Sequence, residues 1–284
     1  MEQVVLEVKD LKFKHRDAKK RVLNGLNFQV KKGEFLCIIG QNGSGKSTLC
    51  NALVGLIPYY FAGKLKGQVL VDGIDTQEST IAELSSKIGL VFQNPFNQLS
   101  YTAGSVAEEL AYGLGNKGVP REKMVKKVEY VAKLMRIDHI IHKNPLELSG
   151  GQVQRVAFGS TFIMEPGILV LDECTTQLDP LGSEEIFDIV KELNKNGVTV
   201  IMVDHDMERV ARCADRILVL DSGEQVALDT PQNIFGNPDV MAHHIGAPDY
   251  VAITRELKER GLYDGPVKVI EEDTIELVRE VLAG

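Results

Sequence analysis

Three short runs of this 284-residue chain carry side chains able to handle a phosphate chain and the water that attacks it. The first is Gly40-Gln41-Asn42-Gly43-Ser44-Gly45-Lys46-Ser47-Thr48, which matches G-x-x-x-x-G-K-[ST]. Glycines let backbone N–H groups curl round phosphate oxygens, and a helix starting there adds the positive end of its dipole. In such a loop Lys46 reaches the β- and γ-phosphates and the Ser47 hydroxyl ligates Mg2+. The second is Asp172-Glu173, which closes the apolar run 168–171. Carboxylates at the carboxyl end of a parallel strand face the crevice where ligands sit. Asp172 is therefore expected to hold Mg2+ through water and Glu173 to serve as general base. An acidic pair ending a strand is commonly a solvated turn, and the glycine loop upstream shifts the reading towards catalysis. The third run is Leu148-Ser149-Gly150-Gly151-Gln152. A serine and two glycines at a helix start can offer N–H groups and the Ser149 hydroxyl to a γ-phosphate. A plain N-cap explains Ser149 but not two helix-destabilising glycines after it.

These runs need strands before them and helices after them. Residues 35–39 form a continuous apolar run closed by Gly40, which predicts a strand buried on both faces, and 46–56 predicts the following helix. Alternation over 4–8 and 22–30 predicts half-buried strands, and 68–74 with Asp72-Gly73 at its turn predicts a hairpin. Residues 95–165 read as mostly helical, including a helix over 121–136 started by Pro120. Strand and helix then alternate through 168–171, 183–193, 198–203, 207–213 and 217–220, the pattern of an α/β fold with a largely parallel sheet. After about Leu228, Pro231, Pro238, Pro248 and Pro266 divide the chain into short helical pieces, with a last helix over 274–282.

Composition narrows the setting. A chain with 44% hydrophobic and 25% charged residues is an ordinary globular protein, long enough for one large domain and a small appendage. A net charge of -8 speaks against nucleic acid as a partner. Cys37, Cys50, Cys174 and Cys213 form no CxxC pair, so neither a zinc site nor a disulfide framework is expected, and a reducing cytosol is the expected home. The start Met1-Glu2-Gln3 leads into a strand-like run rather than an export signal. No apolar run approaches the roughly 20 residues that cross a bilayer, so membrane work would need another subunit.

With Leu148–Gln152 lying between the glycine loop and the acidic strand end, the chain resembles the ABC ATPases over residues 1 to about 228. That resemblance implies a P-loop NTPase-type α/β fold: a mostly parallel core sheet, an antiparallel β subdomain and a helical subdomain at about 95–165. It makes 229–284 a C-terminal appendage that adds dimer contacts. Gln93, in Val91-Phe92-Gln93-Asn94-Pro95, resembles the family's Q-loop residue, which contacts Mg2+ and the attacking water and senses the membrane subunit. Leu178-Asp179 is similar to the D-loop, and His205, in Val203-Asp204-His205-Asp206, to the switch histidine that contacts the γ-phosphate. Ser149, Gly150, Gly151 and Gln152 match the signature that faces ATP across a dimer. His15, in Phe13-Lys14-His15, stands where the family usually stacks a tyrosine on adenine, with Val22 beside it. An exposed histidine is the alternative there.

Within this family, Gln93-Asn94-Pro95-Phe96-Asn97-Gln98-Leu99 with Val106-Ala107-Glu108-Glu109 and Tyr112-Gly113-Leu114 is similar to the energy-coupling factor group, although Phe96 stands where that group often has Asp. The resemblance implies ATP and Mg2+ as cofactors and a homodimer, or a heterodimer with a related ATPase. It also implies an integral membrane coupling subunit and a substrate-capture subunit, met at the cytoplasmic face of the cell membrane. The transported class would be a vitamin, a vitamin precursor or a metal ion. Glu108 and Glu109 become candidates for gripping basic coupling helices, with a solvated helix face as the alternative. A conventional ABC importer or exporter is the competing reading. A soluble ABC protein acting on DNA or ribosomes is a third, against which stand the lack of sustained heptads and the single cassette. Lys46, Asp172, Glu173 and His205 together speak against a cassette that only binds.

Overall fold

The structure, a computed structural model, describes residues 3–283. Strands β1 (Val4–His15), β2 (Leu23–Lys31) and β3 (Phe35–Ile39) lead into helix α1 (Lys46–Leu53). Then come β4 (Gly63–Val71), β5 (Ile74–Asp75), α2 (Ile81–Leu84) and β6 (Ile88–Val91). Helices α3 (Val106–Asn116), α4 (Arg121–Leu134) and α5 (Gly150–Phe162) form the middle of the chain. Alternation resumes with β7 (Ile168–Asp172), α6 (Pro180–Lys195), β8 (Thr199–Val203), α7 (Met207–Cys213), β9 (Arg216–Asp221) and β10 (Glu224–Asp229). The chain closes on α8 (Pro231–Gly236), α9 (Pro238–Met241), α10 (Asp249–Glu259) and α11 (Glu271–Ala283).

A six-stranded sheet in the order β10-β9-β3-β8-β7-β6 lies at the centre. Its five inner and far strands pair in parallel, and only β10 turns back antiparallel on β9. Successive strand residues point to opposite faces, and the sheet thereby feeds two cores. Cys37, Ile39, Leu171, Met202 and Val219 enter one, packed on α3 to α7. Leu36, Ile38, Val170, Ile201 and Leu218 enter the other, covered by α1 and a four-stranded antiparallel sheet in the order β2-β1-β4-β5. The expected hairpin is the β4–β5 pair, with Val71 opposite Ile74.

Several elements run differently from the sequence pattern, each for a local reason. Strand β1 continues past Val8 because a bulge at Asp10, with φ 44°, resets the alternation. Leu6 and Val8 before it and Leu11 and Phe13 after it are all buried. Helix α1 stops at Leu53 rather than 56, since Gly55 takes a φ of 77° and closes a Schellman motif. Leu56 N–H donates to Asn51 O at 3.0 Å and Gly55 N–H to Ala52 O at 3.2 Å. In the tail, Pro231 and Pro238 sit in first helical turns and Pro248 at an N-cap, so these prolines start helices. Tail residues Ile234, Phe235, Val240, Val251 and Val269 bury in the same core as α6 and α7. No described helix is long and apolar enough to cross a membrane.

Candidate active site

The glycine loop follows buried β3, and neighbours leave no room for a side chain at Gly40 or Gly45. Gly40 has φ 150°, and a Cβ there would lie 2.1 Å from Leu220 O. Gly45, with φ 106°, is the N-cap of α1, and a Cβ there would lie 2.9 Å from Val22 O. A glycine cap brings no side-chain acceptor, so the first N–H groups of α1, at Lys46, Ser47 and Thr48, have none to satisfy them. Ser44 Oγ is also buried without a partner. A concave set of unpaired donors at a helix start suits an anionic phosphate chain. Lys46 folds back over the loop, its Nζ donating to Gly40 O at 2.8 Å and Gln41 O at 3.0 Å. Burial holds this ammonium below the usual lysine value, while Glu173 and Asp172 oppose the drop.

Neighbouring strands supply the rest. β6 delivers Gln93, β7 delivers Asp172 and Glu173, and β8 delivers His205, all at their carboxyl ends. Ser47 Oγ donates to Asp172 Oδ1 at 3.2 Å. Burial pushes the Asp172 carboxyl above its ordinary value, only partly opposed by the Ser47 bond. A hydroxyl and a carboxylate side by side are hard oxygen donors that fit Mg2+, with the remaining ligands to come from phosphate and water. Glu173, in a left-handed conformation at φ 48°, is gripped from both sides. Gln93 Nε2 donates to its Oε2 at 2.5 Å, and His205 Nε2 lies 2.6 Å from its Oε1. Val22, Asn42, Gly43, Gly45, Lys46, Ser47, Thr48, Gln93, Glu173 and His205 line one cavity of about 480 Å³. Phosphates can lie along one wall and a water can meet a carboxylate on the other.

The other expected site residues do not reach this cavity. Ser149 is the N-cap of α5, and its Oγ accepts from Gln152 N while Gln152 Oε1 accepts from Ser149 N. The cap and ligand readings are compatible, because an accepting hydroxyl keeps its own hydrogen to donate. Ser149 is exposed and Gly150, Gly151 and Gln152 are half-buried. Asp179 caps α6 by accepting from Gly182 N at 2.8 Å. His15 packs edge-on against Phe13, ring centroids 4.8 Å apart. One chain therefore holds the loop half of a site together and carries the signature half elsewhere.

Two side chains play parts the sequence pattern did not assign. Gln98 donates to Ala157 O at 2.9 Å and to Thr161 Oγ1, and its Oε1 accepts from Phe92 N at 3.2 Å. It ties the loop carrying Gln93 to α5. Nothing in its spacing marks it, since a glutamine inside a polar loop is usually solvated. Glu109, expected on a gripping surface, is instead buried, accepting from Ser100 N at 2.7 Å and Ser100 Oγ at 2.8 Å. Its place beside Leu110 on the inner face of α3 leaves it no partner surface. Glu108 is exposed and accepts from Gly104 N at 2.7 Å.

Residues 23–176 match the ABC transporter family model. The energy-coupling factor transporter ATP-binding protein EcfA1 of Bacillus licheniformis is 41% identical over 261 residues, 91% of this chain and 90% of that protein. CbiO1 of Clostridium perfringens, part of the ABC transporter complex cbiONQ, superposes with a TM-score of 0.71 at 32% identity, covering 92% of this chain and 98% of that one. A dimeric ATP-binding cassette in a post-hydrolysis state, bound to ADP and Pi, has a TM-score of 0.69 at 29% identity, covering 79% and 98%. The glycine loop, the acidic strand end and the overall fold thus have one account: the chain belongs to the ABC transporter family and is one of its ATP-hydrolysing subunits.

Proposed function

We propose that this subunit powers an energy-coupling factor type importer, driving uptake of a vitamin, a vitamin precursor or a metal ion. The membrane partners would be an integral coupling subunit and a substrate-capture subunit, met at the cytoplasmic face of the cell membrane. The observation that carries this reading is an apolar groove of about 230 Å³ lined by Leu56, Ile81, Leu90, Phe92 and Met164 among others. Phe92 adjoins Gln93, whose amide holds Glu173. A helix pressed into that groove reaches the catalytic carboxylate through two residues. The names of the EcfA1 and CbiO relatives support the branch.

Two chains would face each other, identical or closely related, so that Ser149, Gly150 and Gly151 of each close the other's loop half. Val22, on the cavity wall, and His15 would contact the adenine. Ser47, Asp172 and Gln93 would hold Mg2+, which supplies charge neutralisation on the phosphates when bound. Lys46 leaves Gly40 and Gln41 to bind the β- and γ-phosphates. His205 leaves Glu173 for the γ-phosphate, which frees Oε1 to take the proton of the attacking water. The tail adds dimer contacts through its exposed side.

The test is capture from native membranes. Tagged wild-type chain should bring down integral membrane partners, and Leu56→Asp or Met164→Glu should lose them while the isolated subunit still hydrolyses ATP. Equal capture by both variants would remove the groove from the coupling role.

A further inference from the structure

We infer that Arg209 is a positioning residue for His205, acting through Asp204; this rests on reading the site as an ATPase. His205 lies on the turn between β8 and α7, where nothing regular holds the backbone. Asp204 supplies the hold. Its Oδ1 accepts the backbone N–H of His205 at 2.7 Å and that of Asp206 at 3.0 Å. Its Oδ2 is bound by Arg209 Nη1 at 3.0 Å. The two side chains are only 14% and 10% exposed, so both charges are largely shielded from water and depend on each other.

The guanidinium is itself fixed. Nη2 lies 3.2 Å from Glu184 Oε1 on α6 and 3.5 Å from Asp206 Oδ2. The group sits over the Phe187 ring, 5.4 Å from its centroid, and its Nε is buried without a partner. A planar fork suits such a double grip and stacking, where an ammonium would be a single point charge. Arg209 thus links α6 to the turn that aims His205 at Glu173. It does not line the glycine-loop cavity; it faces a separate one with Tyr250 and Glu271. Its loss should loosen the aim of the histidine without touching the phosphate cradle.

The experiment measures steady-state ATPase rates of the full-length chain. Arg209→Gln should lower kcat by about 10- to 100-fold, the cost of displacing a catalytic group by roughly 1 Å, with KM for ATP little changed. Arg209→Lys should recover part of the loss, because it restores the charge opposite Asp204. On a His205→Ala background, Arg209→Gln should add nothing, since its effect passes through that histidine. Should Arg209→Gln fail to fold, Asp204→Asn enters the same cycle with the same expectation. Wild-type turnover in Arg209→Gln, or an undiminished loss on the His205→Ala background, overturns the relay and leaves the ATPase reading standing. Wild-type turnover in His205→Ala alone overturns both the role of His205 and the relay.

Discussion

Glu173 has both oxygens held, by Gln93 and by His205, so its replacement separates chemistry from geometry. Glu173→Gln should bind ATP as the wild type does and hydrolyse it about 10²- to 10⁴-fold more slowly, because the water loses its base. Phosphate release and equilibrium nucleotide binding, measured side by side, check this; near-normal turnover would take Glu173 out of the base role. Asp172 makes a different prediction. Burial raises its carboxyl above the ordinary 3.8, so its charged form at neutral pH opposes folding. In EDTA and without nucleotide, Asp172→Asn should raise Tm by about 2–4 °C, the shift that ~1 kcal/mol produces in a chain of this size. The sign follows from linkage. The advantage shrinks as pH falls through the raised folded pKa, and vanishes below the unfolded value, where both states carry the neutral acid. Thermal scans from neutral to mildly acid pH that show the opposite trend would contradict it. Glu173 and Asp172 were legible because an apolar run ends on them. Asp204 was visible only as a letter beside His205, since its bond to Arg209 depends on how α7 docks on α6.

Elements were legible where burial is complete. β3, β7 and β8 have every residue buried, and such runs stand out as unbroken apolar stretches. The second half of β1 did not, because the bulge at Asp10 shifts its inward residues from even to odd positions. β10 escaped notice because its residues are only half-buried or exposed, and α10 because it buries just Val251 and Thr254. The start of α5 shows a residue serving two ends, and variants can separate them. Ser149→Asn keeps a good cap and should leave Tm nearly unchanged, whereas Ser149→Ala should cost about 1 kcal/mol of stability. Ser149→Arg should still bind ATP at its own glycine loop but block ATP-driven pairing, as a long cation obstructs the facing phosphate pocket. Sedimentation with ATP on a Glu173→Gln background reads the outcome. A dimer as stable as the parent's would mean the signature does not face nucleotide across two chains.

At the scale of the whole molecule, the tail's apolar residues were expected to pack against the main domain or a second copy, and Ile234, Phe235, Val240 and Leu277 are buried within the chain itself. Each such side chain contributes about 1.5–3 kcal/mol, so a chain ending near residue 228 is expected to lose a large part of its stability. Exposed apolar side chains remain for a partner: Ile253 and Leu262 and, on the outer side of α11, Ile275 and Leu282, which are 43% and 81% exposed. Seven residues apart, the latter two share a helix face. Ile275→Glu with Leu282→Glu should leave Tm unchanged and weaken nucleotide-free association, as sedimentation at matched concentrations would show. Unchanged association would leave α11 as a lid on its own domain. The order of strands in the central sheet has a further consequence, for a chain still being made. β3 pairs with β8 and β9 alone, so Phe35 waits for Val200 and Leu36 for Arg216. At about 5–20 residues per second the ribosome takes roughly 10–30 s to supply them. Through that interval the most apolar early strand has two open edges and the glycine loop has no floor. The nascent chain should therefore depend on a chaperone over its first two hundred residues, and gain the ability to bind ATP only in its last quarter.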